Sequence, residues 1–100
     1  MKIVQSLVES QIKNGFLDIL KEAQPYFPHS YKSKRISVFF DDENVSKSIN
    51  LTGWKHDTPM LTGLTNWYKK HSVKVGNKVV IEILGNNEFR LRILKYKRSF

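Results

Sequence analysis

The sequence predicts a small, mostly β domain: an open barrel of short strands with two brief helices. Three observations carry that expectation. The apolar residues gather in short β-branched and aromatic runs, with Arg35-Ile36-Ser37-Val38-Phe39-Phe40 and Lys78-Val79-Val80-Ile81-Glu82-Ile83-Leu84 the clearest. Turn chemistry separates those runs, at Asp41-Asp42-Glu43-Asn44 and again at Gly85-Asn86-Asn87. At 100 residues with no cysteine, the chain is one domain (residues 1–100) with one core and no disulfide framework in its place.

Taken in order, residues 3–10 read as a short opening helix with Ile3, Val4, Leu7 and Val8 on one face. A single helix from residue 7 to residue 26 would carry Lys13-Asn14-Gly15 in its middle, where glycine costs about 1 kcal/mol. A turn there is preferred, followed by a strand over residues 16–20 and a short helix over residues 21–26. Residues 35–40 form a strand, the acidic run turns the chain, and residues 45–51 return as the hairpin partner. Gly53-Trp54-Lys55-His56-Asp57-Thr58-Pro59 is a loop bracketed by Gly and Pro. Thr62 caps a helix over residues 64–70 that turns Leu64, Trp67 and Tyr68 toward the core. Val75-Gly76-Asn77 leads into the strand over residues 78–84, and Phe89, Leu91 and Ile93 alternate with Arg90 and Arg92 in the last strand.

Charge is the first functional clue. The chain carries 17 Lys and Arg against 9 Asp and Glu, a formal net charge of +8. The surplus is uneven: residues 1–31 balance to zero, residues 32–57 carry +1, and residues 58–100 carry +7. Such a surplus favours a polyanionic partner, because phosphate contacts release counterions, although surface lysines also serve solubility. The sequence shows neither an apolar run long enough to cross a bilayer nor a secretory h-region, which points to a cytoplasmic, intracellular protein with no membrane partner. His29, His56 and His71 lack metal-ligand spacing. Neither Glu82-Ile83-Leu84 nor Glu88-Phe89-Arg90 offers the Glu-x-Lys of a metal-dependent nuclease, and there is no Gly-x-Ser-x-Gly elbow or phosphate-cradling Gly loop. The expectation is a non-catalytic protein without cofactor, metal or small-molecule substrate.

Three blocks together resemble the B3-type DNA-binding domains. Leu20-Lys21-Glu22-Ala23-Gln24-Pro25-Tyr26-Phe27-Pro28 is similar to the short helix ending in Phe-Pro that follows that family's first strand. Leu61-Thr62-Gly63-Leu64-Thr65-Asn66-Trp67-Tyr68 resembles its Thr–Gly turn into an aromatic-bearing helix. His71-Ser72-Val73-Lys74-Val75-Gly76-Asn77-Lys78-Val79-Val80-Ile81 resembles its Asn-x-Leu-x-x-Gly-Asp turn into a core strand, with Asn77 in place of Asp and His71 in place of Asn. The spacing fits over about residues 10–94. These departures, and a shifted Trp register, suit a bacterial relative such as the DNA-recognition domains of some restriction endonucleases. The resemblance implies a seven-stranded open pseudobarrel that grips the major groove of double-stranded DNA between two arms. Restriction–modification and transcription regulation are both settings in which such a nucleoid-associated domain works.

Carried onto this chain, the first arm matches Ser10, Gln11, Lys13 and Asn14, whose tips suit base edges and phosphates, or an ordinary solvated turn. The second arm matches residues 50–57, with Asn50, Thr52, Trp54, Lys55 and His56 as DNA contacts. Trp54, between Gly and Lys, reads as a sugar or thymine-methyl contact, or as a plug for one end of the barrel. Lys32, Lys34 and Arg35 read as phosphate anchors or as charge that protects a strand edge. Arg90 and Arg92, about 7 Å apart along one strand face, read as a backbone-tracking pair or as a solvated face beside Glu82 and Glu88. Phe27, Trp67 and Tyr68 belong to the core. Two other functions fit the same fold: a protein-interaction module centred on Trp54, and single-stranded nucleic acid or RNA binding, for which only Phe39 and Trp54 offer exposed stacking surfaces.

Overall fold

The structure is a computed structural model, and it describes residues 1–28, 33–52 and 59–95. Its elements run β1 (Lys2–Ser6), α1 (Glu9–Asn14), β2 (Leu17–Asp18), a 3-10 turn (Gln24–Tyr26), β3 (Lys34–Phe40), β4 (Lys47–Leu51), β5 (Met60–Leu61), α2 (Thr65–Lys70), β6 (Lys78–Gly85) and β7 (Glu88–Leu94). The seven strands make one sheet in the order β1-β6-β7-β3-β4-β5-β2. All pairs are antiparallel except β3 with β7, where Val38 lies beside Phe89 and Phe40 beside Leu91. The sheet curls into the expected open barrel, closed around Leu17, Ile19, Val38, Leu51, Leu61, Leu64, Val79, Ile81, Phe89 and Leu91. Phe27 stacks on Phe89 with ring centroids 4.2 Å apart, which holds the segment after β2 over the core. Such a ring pair adds about 1 kcal/mol to the area it buries.

The amino-terminal segment departs from expectation. Residues 2–6 form a strand rather than a helix, because Ile3, Gln5 and Leu7 alternate inward while Val4 and Val8 stay exposed. The polar Gln5, only 4 % exposed, occupies an inward position and hides that alternation in the sequence. Its amide is not wasted. Gln5 Nε2 donates to the Asp18 carbonyl at 2.7 Å, and the Leu20 N–H donates to Gln5 Oε1 at 3.2 Å. The two edge strands, β1 and β2, are thus joined through one side chain.

Residues 13–15 turn the chain as expected, but at the end of a helix, Glu9–Asn14, that was not expected from the sequence. Gly15 caps α1 in the left-handed region (φ 71°), and a Cβ there would meet Thr65 Oγ1 at 2.0 Å, so only glycine lets α1 sit on α2. The strand expected over residues 16–20 narrows to Leu17–Asp18, with the Ile19 N–H still donating to the Pro59 carbonyl at 2.8 Å. The helix expected over residues 21–26 is a turn followed by one 3-10 turn that starts at Gln24, with Pro25 in its first turn. Thr62 does not cap α2. Leu64 occupies the N-cap without a side-chain bond, and its N–H donates to the Gly15 carbonyl at 2.8 Å.

Candidate nucleic-acid interface

Strand alternation builds one polar face. Leu17, Leu61, Ile49, Leu51, Ile36 and Val38 point into the core, so their neighbours Asp18, Met60, Ser48, Asn50, Arg35 and Ser37 point outward across β2, β5, β4 and β3. Asp18 lies opposite Met60, and Arg35 lies opposite Asn50. Thr52 locks the root of the 53–58 segment: its N–H donates to the Met60 carbonyl at 2.9 Å, and the Met60 N–H donates to Thr52 Oγ1 at 3.2 Å. Arg35 donates from Nη1 to the Ser48 carbonyl at 3.3 Å and faces no acid among the described residues. Lys34 is exposed, and among the described residues it has no ion pair.

At the other side of β2, α1 exposes Ser10, Lys13 and Asn14, with Asn14 Nδ2 donating to the Ser10 carbonyl at 3.0 Å. Gln11, expected among the DNA contacts, is 6 % exposed, and its Oε1 accepts the Asp18 N–H at 3.3 Å, which ties α1 to β2. Lys32, Trp54, Lys55 and His56 lie outside the described residues.

Arg90 and Arg92 are engaged within the protein, on a different part of the sheet. Arg90 Nη1 donates to the Asp41 and Glu43 carbonyls at 2.7 and 3.0 Å, its Nε lies 3.9 Å from Glu82, and its guanidinium covers the Phe39 ring at 5.1 Å. Arg92 pairs with Asp42, which holds that carboxyl below its usual range. The alternative expected for the pair was a solvated face beside Glu82 and Glu88; Glu82 is a neighbour, but Arg90 is largely covered and the other acid is Asp42. The acidic run is likewise filled from within. Asp41, held at φ 57°, accepts Trp67 Nε1 at 3.2 Å and lies 2.8 Å from His71 Nε2 and 3.9 Å from Lys70. No cluster of metal-ligating side chains occurs among the described residues. Trp67 and Tyr68 are core residues, and the Tyr68 hydroxyl donates to the Phe16 carbonyl at 2.8 Å while burial pushes its pKa upward.

No family model and no curated protein matches the sequence. Solved structures do match in shape. The Arabidopsis FUS3–DNA complex superposes with a TM-score of 0.76 over 95 % of this chain and 97 % of that one, at 13 % identity. This chain has the B3-type pseudobarrel fold. The N-terminal domain of Helicobacter pylori LlaJI.R1 superposes on the same pseudobarrel with a TM-score of 0.70 over 99 % of this chain and 91 % of that one, at 10 % identity. Asp18 and Gln5, which tethers its carbonyl, were not singled out in the sequence; Gln11, which takes its N–H, was named there as a DNA contact. The signal for Asp18 was present, as the polar middle of Leu17-Asp18-Ile19, a three-residue alternation too short to stand out.

Proposed function

We propose that this pseudobarrel binds double-stranded DNA in the major groove, with residues 10–14 as one arm and residues 50–57 as the other, and performs no catalysis. The observation that carries the reading is the polar outer face of β2, β5, β4 and β3, where Arg35 and Lys34 meet no acid among the described residues and Asn50 and Thr52 stand beside them. Lys13, Lys34 and Arg35, with Lys32 and Lys55 from the sequence, supply phosphate contacts. Ser10, Asn14, Asn50, Thr52, Trp54 and His56 supply contacts to bases and sugars. The likeness to a structure solved with DNA supports the same reading.

Anisotropy titration of a labelled random-sequence duplex at two salt concentrations tests it, with the matching single strand as competitor. The expected result is binding that weakens steeply with salt, log K falling by about 0.9 per neutralised phosphate, and a duplex that outcompetes the strand. Absence of binding at low salt, or an isotherm indifferent to salt, overturns it.

A further inference from the structure

Asp18 stands apart from the other half-buried carboxylates. Among the described residues, Asp41 faces Lys70 and His71, Glu43 faces Lys70, and Glu82 faces Lys2 and Arg90. Even the exposed Asp42 is held by Arg92. The Asp18 carboxylate has no ion pair and no hydrogen bond among these residues, although its backbone is fixed on both sides. Gln11 of α1 takes its N–H at 3.3 Å and Gln5 of β1 donates to its carbonyl at 2.7 Å. Across β2 it lies opposite Met60, whose own backbone is clamped by Thr52. The backbone that carries the carboxylate is therefore fixed between α1, β1 and β5, and its charge lies near enough to the Tyr68 hydroxyl to help raise that group's pKa.

Such a placement is costly on two counts. Partial burial without a counter-charge disfavours the ionised form and holds this carboxyl above its usual pKa. A fixed negative charge on a face that gathers phosphates also works against affinity. A carboxylate is an acceptor only, so the group that complements it is a hydrogen-bond donor reached without passing a phosphate. In the major groove that donor is the exocyclic amine of cytosine, the standard partner of Asp and Glu among base edges.

We propose that Asp18 is a specificity-determining residue that reads a cytosine through its N4 amine. The proposal rests on the duplex-binding reading above, and it predicts that one acidic side chain sets base preference while the cations set affinity. Binding-site selection from a random duplex pool tests it, run in parallel with wild type, Asp18→Ala and Asp18→Asn, with anisotropy on the unselected duplex and a melting temperature for each protein.

The expected result is a wild-type consensus with one cytosine favoured about 10-fold, a preference that Asp18→Ala flattens at that position alone. Asp18→Asn moves the preference there to adenine, whose N6 and N7 suit an amide. Affinity for the unselected duplex stays level or rises in both variants. An unchanged consensus in the variants overturns the proposal, as does a uniform loss across all sequences together with a lowered melting temperature. Duplex binding by wild type without any consensus overturns the cytosine reading and leaves the duplex reading standing. No duplex binding at low salt removes both.

Discussion

Two arginine-bearing regions of this sheet look alike in sequence and differ in what surrounds them. Arg90 and Arg92 on β7 meet the acidic turn after β3, where Asp41, Asp42 and Glu43 also collect Lys70 and His71. Lys34 and Arg35 at the start of β3 meet no acid among the described residues; Arg35 reaches only the Ser48 carbonyl. The first region spends its charge on holding a turn and a helix in place. In the second, the charge meets no acid among the described residues. A count of basic residues does not separate the two, and their partners do.

The largest effect that would break this contrast is on DNA affinity. Replacing Lys34 and Arg35 together by Ala is expected to weaken duplex binding about 10-fold or more at moderate salt and to lower the salt slope by about 2, as read by anisotropy. Arg92→Ala should leave both quantities near wild type; an equal loss in the two variants would erase the distinction drawn here. Stability should respond the other way round. Arg90→Ala removes the donor shared by the Asp41 and Glu43 carbonyls, and a charged hydrogen-bonding group of this kind is worth about 1.5–3 kcal/mol, visible as a lower denaturation midpoint with duplex affinity retained in folded protein.

A comparable loss of stability is expected from Gln5→Leu. It strands the Asp18 carbonyl and the Leu20 N–H at the seam, at about 1–3 kcal/mol for each group left unsatisfied and shielded from water. The smallest effect concerns pH. Burial raises the Asp18 carboxyl above its unfolded value, so its contribution to stability is fully present below the ordinary carboxylate range and is lost as pH rises through the raised value. Asp18→Asn should therefore melt slightly higher than wild type at neutral pH, a margin that vanishes on acidification toward pH ~3. A margin independent of pH would show that the carboxylate is not strained by its site.

The strands that were legible, β3, β4, β6 and β7, announce themselves by inward Ile, Val, Phe and Leu on a two-residue period. β1 was misread because Gln5 sits where an apolar residue would complete the pattern, and Ile3, Val4, Leu7 and Val8 then mimic a helical face. β5 has only two residues, Met60 and Leu61, too few to carry any period. At the candidate site, the turn at Lys13-Asn14-Gly15 was legible from its glycine, whereas the helix Glu9–Asn14 that exposes Ser10, Lys13 and Asn14 was not. The engagement of Arg90 and Arg92 by the acidic turn was not legible, because Asp41, Asp42 and Glu43 lie 47 to 50 residues away and reach them through the parallel β3–β7 pairing. The burial of Gln11 was not legible for a similar reason: its partner, the Asp18 N–H, is a backbone group that composition cannot reveal.

The order in which strands find partners has a consequence for how this chain comes to be folded. β1 pairs with β6 and β2 pairs with β5, so neither of the first two strands has a neighbour within the first 28 residues. As the chain leaves the ribosome, that stretch must wait for residues 60–61 and then 78–82 before its ladders can form. Pairings that span so much sequence form slowly. The ladders of β1 and β2 therefore form only after the later strands that pair with them are made, and α1, which lies between the two in the chain, inherits the delay.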